Sequence, residues 1–426
     1  MAKVAVNSTG PPGQPDIAYT PDWEKYQARV ERRRASEDLA QTLPDAFPAR
    51  LDSTLAWDGA TVAEHYDYAY HLTEADLGEI DGAVAHFKCK YSTLGKPLGE
   101  LSQQTFPCKT CMQLCGACPK TFMMGTASRS SVGCQFTNTR ARKTSSFTLA
   151  WQRMSLSTRG RQDHQFNGKP ADVVLAHIKD LSREFDSQSI GSPAYTTEKQ
   201  VFHTDSGDII ALFALSAAEE GGESYLSSSW TVYNELAATR PDLIRTLAEP
   251  WDVDEFGKTG PPGFTRRPLL YHQPATGSDP ERLLIQYARR AFVGYWGLPR
   301  SANIPAITEA QAEALDALHY TAEKHAVALE FRPGDIQFAN NLSIFHARGS
   351  FRDSAQNQRH LVRLWLRDDE LAWKIPEALK SRWDRVYEGV TAEKQVFPLE
   401  PSIRSASSGK PAQPIVQQPA AVAASA

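Results

Sequence analysis

His203-Thr204-Asp205 sits in the run Val201-Phe202-His203-Thr204-Asp205-Ser206. On a strand or strand end a spacing of two places both side chains on one face. An imidazole and a carboxylate on one face are two-thirds of the facial triad that binds non-haem Fe(II). The third ligand has to arrive from a distant strand. His346, in Asn341-Leu342-Ser343-Ile344-Phe345-His346-Ala347-Arg348, is the best candidate, because it follows a strand, a Pro333-Gly334-Asp335 turn and a second strand. A decoy, His65-Tyr66-Asp67, lies in a segment of helical period. On a helix i and i+2 point about 200° apart, so that pair cannot chelate one ion.

Three protein ligands leave three octahedral positions open. Two can chelate the 2-oxo acid of 2-oxoglutarate and the third can take O2. The far carboxylate of that co-substrate then needs a cation. Arg359 and Arg363 follow His346 by 13 and 17 residues, and in an extended strand they share a face. A guanidinium fork suits a carboxylate; the plain alternative for Arg359 is a surface strand arginine paired with Asp353.

The stretch from His203 to Arg367 resembles the taurine dioxygenase-like group of Fe(II)/2-oxoglutarate dioxygenases, especially its fungal, clavaminate-synthase-like members. The matching pieces are Phe202-His203-Thr204-Asp205, Gly221-Gly222-Glu223-Ser224, Tyr233-Asn234-Glu235-Leu236 and Arg240-Pro241-Asp242-Leu243. They continue through Phe331-Arg332-Pro333-Gly334-Asp335, Asn340-Asn341, His346 and Arg359-His360-Leu361-Val362-Arg363. Lys96-Pro97-Leu98-Gly99 looks like the family's N-terminal part. The resemblance implies His203, Asp205 and His346 as iron ligands and Arg359 on the co-substrate carboxylate with Ser224 beside it. Arg363 would assist there or face the substrate. It implies a mainly β fold with flanking helices: a double-stranded β-helix (jelly-roll) core carrying long helical insertions. The reaction implied converts 2-oxoglutarate and O2 to succinate and CO2 while a small organic substrate is hydroxylated or desaturated. Asp205 argues against a halogenase, which needs a small residue there. Among substrate-side candidates, Tyr287, Tyr295 and Asn340 are singled out, with core packing as the alternative for the tyrosines.

The elements that must position these residues read as follows. Residues 1–20 form a flexible Pro/Gly-rich leader. A single dioxygenase domain spans 21–397, with a helical N-terminal part at 21–95, a catalytic β core at 159–368 and a C-terminal helix at 370–387. The Pro/Ala/Ser/Gln tail 398–426 has no means of burying a core and reads as disordered. Hydrophobic residues make up 41% of the 426, and charged residues 23%, which is ordinary globular composition. A formal net charge of -4 gives no basic field for nucleic acid, and no apolar run is long enough for a membrane span. Without a visible secretory signal, a cytoplasmic location is the default expectation.

One window departs from this. Five of the six Cys lie between Cys108 and Cys134, and Leu101 to Gln162 holds no Asp or Glu but nine Lys or Arg. Cys108, Cys111, Cys115 and Cys118 have paired-knuckle spacing, yet the three-residue gap is cramped for zinc. A shifted reading frame over about 107–157 accounts for the window better. The Met and Phe codons of Phe122-Met123-Met124-Gly125 force His or Tyr, then Asp, then Gly in the frame starting at each third base. Ser130-Ser131-Val132-Gly133-Cys134 permits Val-Arg-Gly-Leu-Pro in that frame, whereas the family's usual core strand is missing from the text as it stands. Two rival readings follow: a family remnant without a competent barrel, and a Cys-cluster metal-binding protein.

Overall fold

The computed structural model describes residues 10–87, 134–137, 158–256, 263–277 and 279–405. In chain order the strands that build the site are β1 (Ala69–His71), β2 (Cys134–Thr137), β3 (Thr158–Gly160), β4 (Ala176–Lys179), β5 (Gln200–His203), β6 (Ile209–Ser216), β7 (Ser224–Ser228), β8 (Val327–Leu329), β9 (Ile336–Asn340), β10 (Ile344–Arg348) and β11 (His360–Arg367). The run IIALFALS of β6 is apolar on both faces, as suits a strand with neighbours on both sides and cover above and below. It lies between β9 and β11 in a seven-stranded sheet ordered β1-β2-β9-β6-β11-β3, with β4 paired to the other half of β11. A second sheet runs β8-β7-β10-β5.

The two sheets share one core: Phe213, Phe338, Val362 and Leu364 from the first pack in the same cluster as Phe202, Phe345 and Ala347 from the second. Polar contacts also cross between them. Ser224 Oγ on β7 donates to Gln337 Oε1 on β9 at 2.9 Å. The turn between β8 and β9 is set by Gly334 at φ 100° and by Asp335, whose carboxylate accepts the Arg332 N–H at 2.9 Å.

Helices cover the outside. They are α1 (Trp23–Ser36), α2 (Glu74–Phe87), α3 (Ser229–Thr239), α4 (Pro241–Ala248), α5 (Glu309–Lys324) and α6 (Glu377–Tyr387). Asp22 caps α1, Ser228 caps α3, and Thr308 with Gln311 forms a capping box on α5. Two family-like pieces prove to be packing devices. Asn234 on α3 grips the Leu51 backbone through both ends of its amide (2.7 and 3.0 Å). Arg240 forks onto Asp242 at 2.8 and 2.8 Å and also reaches Glu313 on α5, which Arg33 of α1 meets from the other side.

The expected boundaries need correction in three places. The N-terminal helical part is interrupted by β1, because Tyr66 to His71 extends and pairs instead of continuing the helical period. The leader is pinned from residue 10 onward: Gln14 donates to Phe292 O at 2.9 Å, the Asp16 carbonyl accepts from Arg29 at 2.7 Å, and the Ala18 carbonyl accepts from Arg289 at 2.7 Å. The first residues of the tail are ordered too. Pro398 O pairs with His177 Nε2 at 2.9 Å, Ile403 is buried, and Ser405 gives both its N–H and hydroxyl to Asp163 at 2.6 Å. These segments are polar in sequence, but the leader finds partners on α1 and around the short helix Arg290–Val293, and the tail finds them at Asp163 and at His177 on β4.

The four knuckle cysteines lie outside the described residues. So does all of the 107–157 window except β2, and there the expectation of no core strand is corrected. The β2 backbone pairs in parallel with β1 and antiparallel with β9, between these two strands near one end of the large sheet. Among the described residues no helix is long and apolar enough to cross a membrane.

Candidate metal centre and its cavity

β5 and β10 are neighbours, and their register puts His203 directly opposite His346. Their rings lie 4.1 Å apart between centroids. Asp205 follows two residues after His203, where the chain leaves the sheet, and His203 Nε2 is 3.7 Å from Asp205 Oδ1. One donor atom from each of the three lies within 4.8 Å of the others. The structure therefore brings together the three residues that sequence spacing singled out. It leaves His65 elsewhere, at the end of the short helix Val62–His65.

The segment carrying the ligands is held from several directions. Thr204 exchanges bonds with Tyr287: its N–H donates to Tyr287 O at 2.9 Å, and its hydroxyl accepts the Tyr287 N–H at 3.0 Å. The Asn341 amide takes the Asp205 N–H at 2.8 Å and gives to Asp205 O at 3.0 Å and Gly207 O at 2.7 Å. Gly207, at φ 105°, lets the chain turn away; a Cβ there would stand 2.7 Å from the Tyr387 hydroxyl.

Protonation is set for metal binding. Burial pushes the His203 imidazole down, and burial together with the His203 charge pushes His346 down to about 3. Burial alone would raise Asp205, but Arg363, His346 and His203 outweigh it and hold the carboxyl well below the usual range. Two neutral imidazoles and a carboxylate are the deprotonated donor set a divalent ion requires. His203 Nδ1 pairs with Val201 O at 2.8 Å, which puts the proton on Nδ1 and the lone pair on Nε2. His346 Nδ1 is buried without a hydrogen-bond partner. A buried imidazole so placed is what a bound metal would satisfy, and the donor set fits Fe(II).

Arg363 on β11 crosses from the large sheet. Its Nη1 donates to Asp205 Oδ2 at 2.5 Å, its Nε donates to Gln162 at 2.8 Å, and Trp365 Nε1 also donates to Asp205 Oδ2 at 3.1 Å. Arg363 was expected to assist at the co-substrate or to face the substrate; here it grips the Asp205 carboxylate. Arg359 is buried, and only its backbone N–H bonds Asp353, so the surface-strand alternative fails. Its Nε donates to Gly222 O at 3.2 Å, its guanidinium lies over Phe351, and its terminal nitrogens have no carboxylate partner among the described residues. Burial and the neighbouring Arg348 push it down to about 9. The paired glycines make the room: a Cβ on Gly222 would lie 2.9 Å from Arg359 Cδ and Nε. Ser224, buried on the next strand, holds Gln337, whose Nε2 is itself buried without a partner.

The substrate-side candidates are placed away from the cavity. Tyr287 is fully buried; its hydroxyl donates to Phe202 O at 2.6 Å and its ring meets Phe345, so it braces the ligand strand. The Tyr295 hydroxyl joins Thr196 at 2.8 Å and Glu198 at 3.0 Å, with Trp296 stacked on its ring. The Asn340 side chain accepts the Leu342 N–H at 3.0 Å and closes the turn between β9 and β10. A cavity of about 920 Å³ opens at His203 and Asp205; Arg363 lines it too, and the rest of its wall includes residues not singled out: Gln162, Arg290, Trp365, Arg382 and Arg404, with Tyr19 from the leader. Alternation of Arg363 and Trp365 on β11 was the one signal for this wall; Arg382 and Arg404 lie in segments whose partners are distant in sequence.

Comparison with known proteins adds the following. Residues 136–365 match the family described as taurine catabolism dioxygenase TauD, TfdA family. The taurine hydroxylase-like protein SAT17 of Stachybotrys chartarum is 34% identical over 377 residues, covering 85% of this chain and 92% of that protein. FR-33289 synthase of Streptomyces rubellomurinus is 28% identical over 193 residues, covering 44% of this chain and 55% of that protein. Among solved structures, the non-heme iron oxygenase OrfP in complex with Fe, succinate and (3S)-hydroxy-L-Arg aligns at a TM-score of 0.49 with 15% identity, covering 77% of this chain and 99% of that chain. An asparagine oxygenase in complex with Fe(II), 2S,3S-3-hydroxyasparagine and succinate aligns at 0.47 with 14% identity, covering 70% and 93%.

Proposed function

The chain belongs to the taurine catabolism dioxygenase TauD, TfdA family, and from that premise we propose that His203, Asp205 and His346 hold the iron and that Arg359 and Ser224 hold the 2-oxoglutarate. The activity is that of an Fe(II)- and 2-oxoglutarate-dependent dioxygenase. The two facing sheets are read as the two halves of a double-stranded β-helix. The observation that carries the assignment is the convergence of three metal-ready donors within 4.8 Å, two of which line the cavity.

Bound iron and 2-oxoglutarate supply O2 activation, with succinate and CO2 released as a substrate C–H bond is oxidised. This chain's residues do the rest. Val201 O fixes the His203 tautomer. Asn341 fixes where Asp205 leaves the strand. Arg363 and Trp365 occupy Asp205 Oδ2, which leaves Oδ1 as the oxygen facing His203. Arg359 supplies a desolvated cation for the far carboxylate of the co-substrate, where low local dielectric strengthens the pair. The Ser224 hydroxyl then chooses between Gln337 and that carboxylate.

The substrate is proposed to be a small organic molecule that is hydroxylated, in secondary metabolism, a reading that a relative named as a synthase supports. The test is succinate release from 2-oxoglutarate with Fe(II) and ascorbate. The parent chain is expected to release it and His346→Ala to release none. No release by the parent, together with no Fe(II) binding, would sink the assignment.

A further inference from the structure

The leader and the C-terminal segment both reach the cavity that opens at His203 and Asp205, the leader through Tyr19 and the C-terminal segment through residues that include Ile403. Neither segment has an apolar period of its own, and ordering such chain costs conformational entropy. The polar clasps that hold them sit beside these two side chains. Arg289 Nε donates to Ala18 O at 2.7 Å, one residue before Tyr19. Directly after Ile403, Arg404 Nε donates to the Tyr195 hydroxyl at 3.1 Å, and Ser405 gives its N–H and its hydroxyl to Asp163 at 2.6 Å. What the clasps fix in place, in each case, is an apolar side chain at the cavity wall.

Tyr19 and Ile403 meet in one small hydrophobic cluster, separate from the main core and gathered around Leu181, Ile190 and Tyr195. Of the side chains in or against this cluster, Tyr19, Phe185, Ala194 and Ile403 also line the cavity. The Tyr19 ring meets the Tyr295 ring in a T-shaped contact at 4.8 Å. Tyr295 is itself fixed, its hydroxyl held by Thr196 and Glu198 and its ring stacked on Trp296 at 5.5 Å. Of these three rings only Tyr19 lines the cavity. Tyr19 and Phe185 stay partly exposed although they pack against the cluster, so the patch offers the cavity apolar surface that an apolar group would gain by covering. The volume of about 920 Å³ lies toward the upper end of the range of about 300–1,000 Å³ for small-molecule sites. An occupant of a few heavy atoms would leave most of that volume, and with it the patch, to water. A ring-bearing one covers the patch while sharing the cavity with His203 and Asp205.

We infer that the substrate carries an apolar ring body, aromatic or alicyclic, and that Tyr19 of the leader and Ile403 of the C-terminal segment pack against it. These two segments are then the specificity-determining wall of the site. This rests on the reaction centre proposed above and names the class of substrate it takes. Neither residue is among those proposed to hold iron or 2-oxoglutarate.

The probe is 2-naphthol, a neutral two-ring molecule, with propane-1,3-diol as control, titrated calorimetrically into the full chain loaded anaerobically with Fe(II) and saturating 2-oxoglutarate. The naphthol is expected to bind at least about tenfold more tightly than the diol. Tyr19→Ala and Ile403→Ala are each expected to weaken it about three- to tenfold, the loss of one apolar contact. Tyr19→Phe and Ile403→Leu keep the apolar surface and are expected to retain the binding, which a loss through unfolding would not do. Fe(II) and 2-oxoglutarate affinities, read in every variant, are expected to match the parent. A readout that needs no variant is amide hydrogen exchange of the parent, expected to slow at 17–20 and 402–405 when the naphthol binds. Equal binding of naphthol and diol, unchanged naphthol affinity in both alanine variants, or unchanged exchange in both segments each overturns the inference while Fe(II) and 2-oxoglutarate still bind. A parent chain that binds neither Fe(II) nor 2-oxoglutarate sinks the reaction centre, and this inference with it.

Discussion

Asn341 closes on Asp205 from both sides, its Oδ1 taking the Asp205 N–H at 2.8 Å and its Nδ2 giving to the Asp205 carbonyl at 3.0 Å. The carboxylate proposed to hold iron is thus placed by a residue on the turn that leads into β10, the strand of His346. Asp205 has just left β5 and has no ladder partner of its own, so the amide stands in for a missing strand. Asn341→Leu keeps the volume and removes both bonds. It is expected to lower Fe(II) affinity by about 10- to 100-fold, as loss of a metal ligand's supporting partner does. Iron titration of the apo chain measures this, and unchanged affinity would show that Arg363 and Trp365 suffice to aim the carboxylate.

Arg359 is expected to act on co-substrate binding alone. Its guanidinium is desolvated, pushed down to about 9, and lacks a carboxylate partner. Arg359→Gln should raise the KM for 2-oxoglutarate by about 10- to 100-fold, the range for a lost hydrogen bond to a charged group. Ser224→Ala should raise it less, because the hydroxyl already has Gln337 as an alternative partner. Succinate formation against 2-oxoglutarate concentration reads both. An unchanged KM for the Arg359 variant would remove that residue from the co-substrate site.

The convergence of His203, Asp205 and His346 was legible because these parts are local in sequence or fixed by strand period. His203 and Asp205 are two apart, and the turn at Pro333-Gly334-Asp335 sets up the strands that return His346. Arg363 lies on β11 and Arg359 just before its first residue, and their different fates depend on what faces each of them. Gly222 and Phe351 meet the first; Asp205 and Gln162 meet the second. Tyr287, Tyr295 and Asn340 have the composition of a pocket, and only three-dimensional packing shows that their polar atoms are already engaged. The ordered leader and tail were missed for a related reason. Tyr19, Pro398 and Arg404 sit in segments with no apolar period of their own, and they are ordered by partners 150 or more residues away, such as Tyr295 for Tyr19.

The acid-free, cysteine-rich window still reads as a shifted frame over about 107–157. The strand β2, inside that window, links β1 to the rest of the large sheet, and the family match begins at residue 136. Sequencing the transcript across the window is expected to reveal an insertion or deletion restoring the family-like frame near Phe122 to Cys134. A transcript that encodes this text in frame would discard the idea. The link between β1 and β9 at β2 would then be built from these residues.

His177 and His360 share one bond, Nδ1 to Nε2 at 2.8 Å, under the start of the C-terminal segment. Burial pushes both down, and His177 helps bring His360 to about 4; Lys179 opposes protonation of both, while Glu400 favours it on His177. The unfolded chain binds protons on these rings near pH 6.5. Between that pH and about 4 the unfolded state therefore holds protons that the folded state does not, and stability falls as pH falls through that window. Above it the pair has no pH effect. His360→Gln is expected to lose less Tm than the parent between pH 7 and pH 5, measured by thermal melts in matched buffers. An equal loss in both would assign the acid sensitivity elsewhere, His203, His319 and His346 being the other imidazoles that burial pushes down furthest from solvent.

Removing residues 398–426 takes away Ile403, the Ser405 bonds to Asp163, the Pro398 bond to His177 and Arg404 over Trp365. No strand of either main sheet and no metal ligand is lost, so the truncated chain is expected to fold, melt a few degrees lower and still bind Fe(II). Its effect should be local. Amide hydrogen exchange is expected to quicken at 162–166 and 176–179, where the segment packs, and to stay slow in β6 and β9, which lie between neighbouring strands. Uniform quickening would mean that the segment supports the whole core. Localised quickening would mark it as a detachable wall of the cavity, one that brings Arg404 to the reaction centre only when it is closed down.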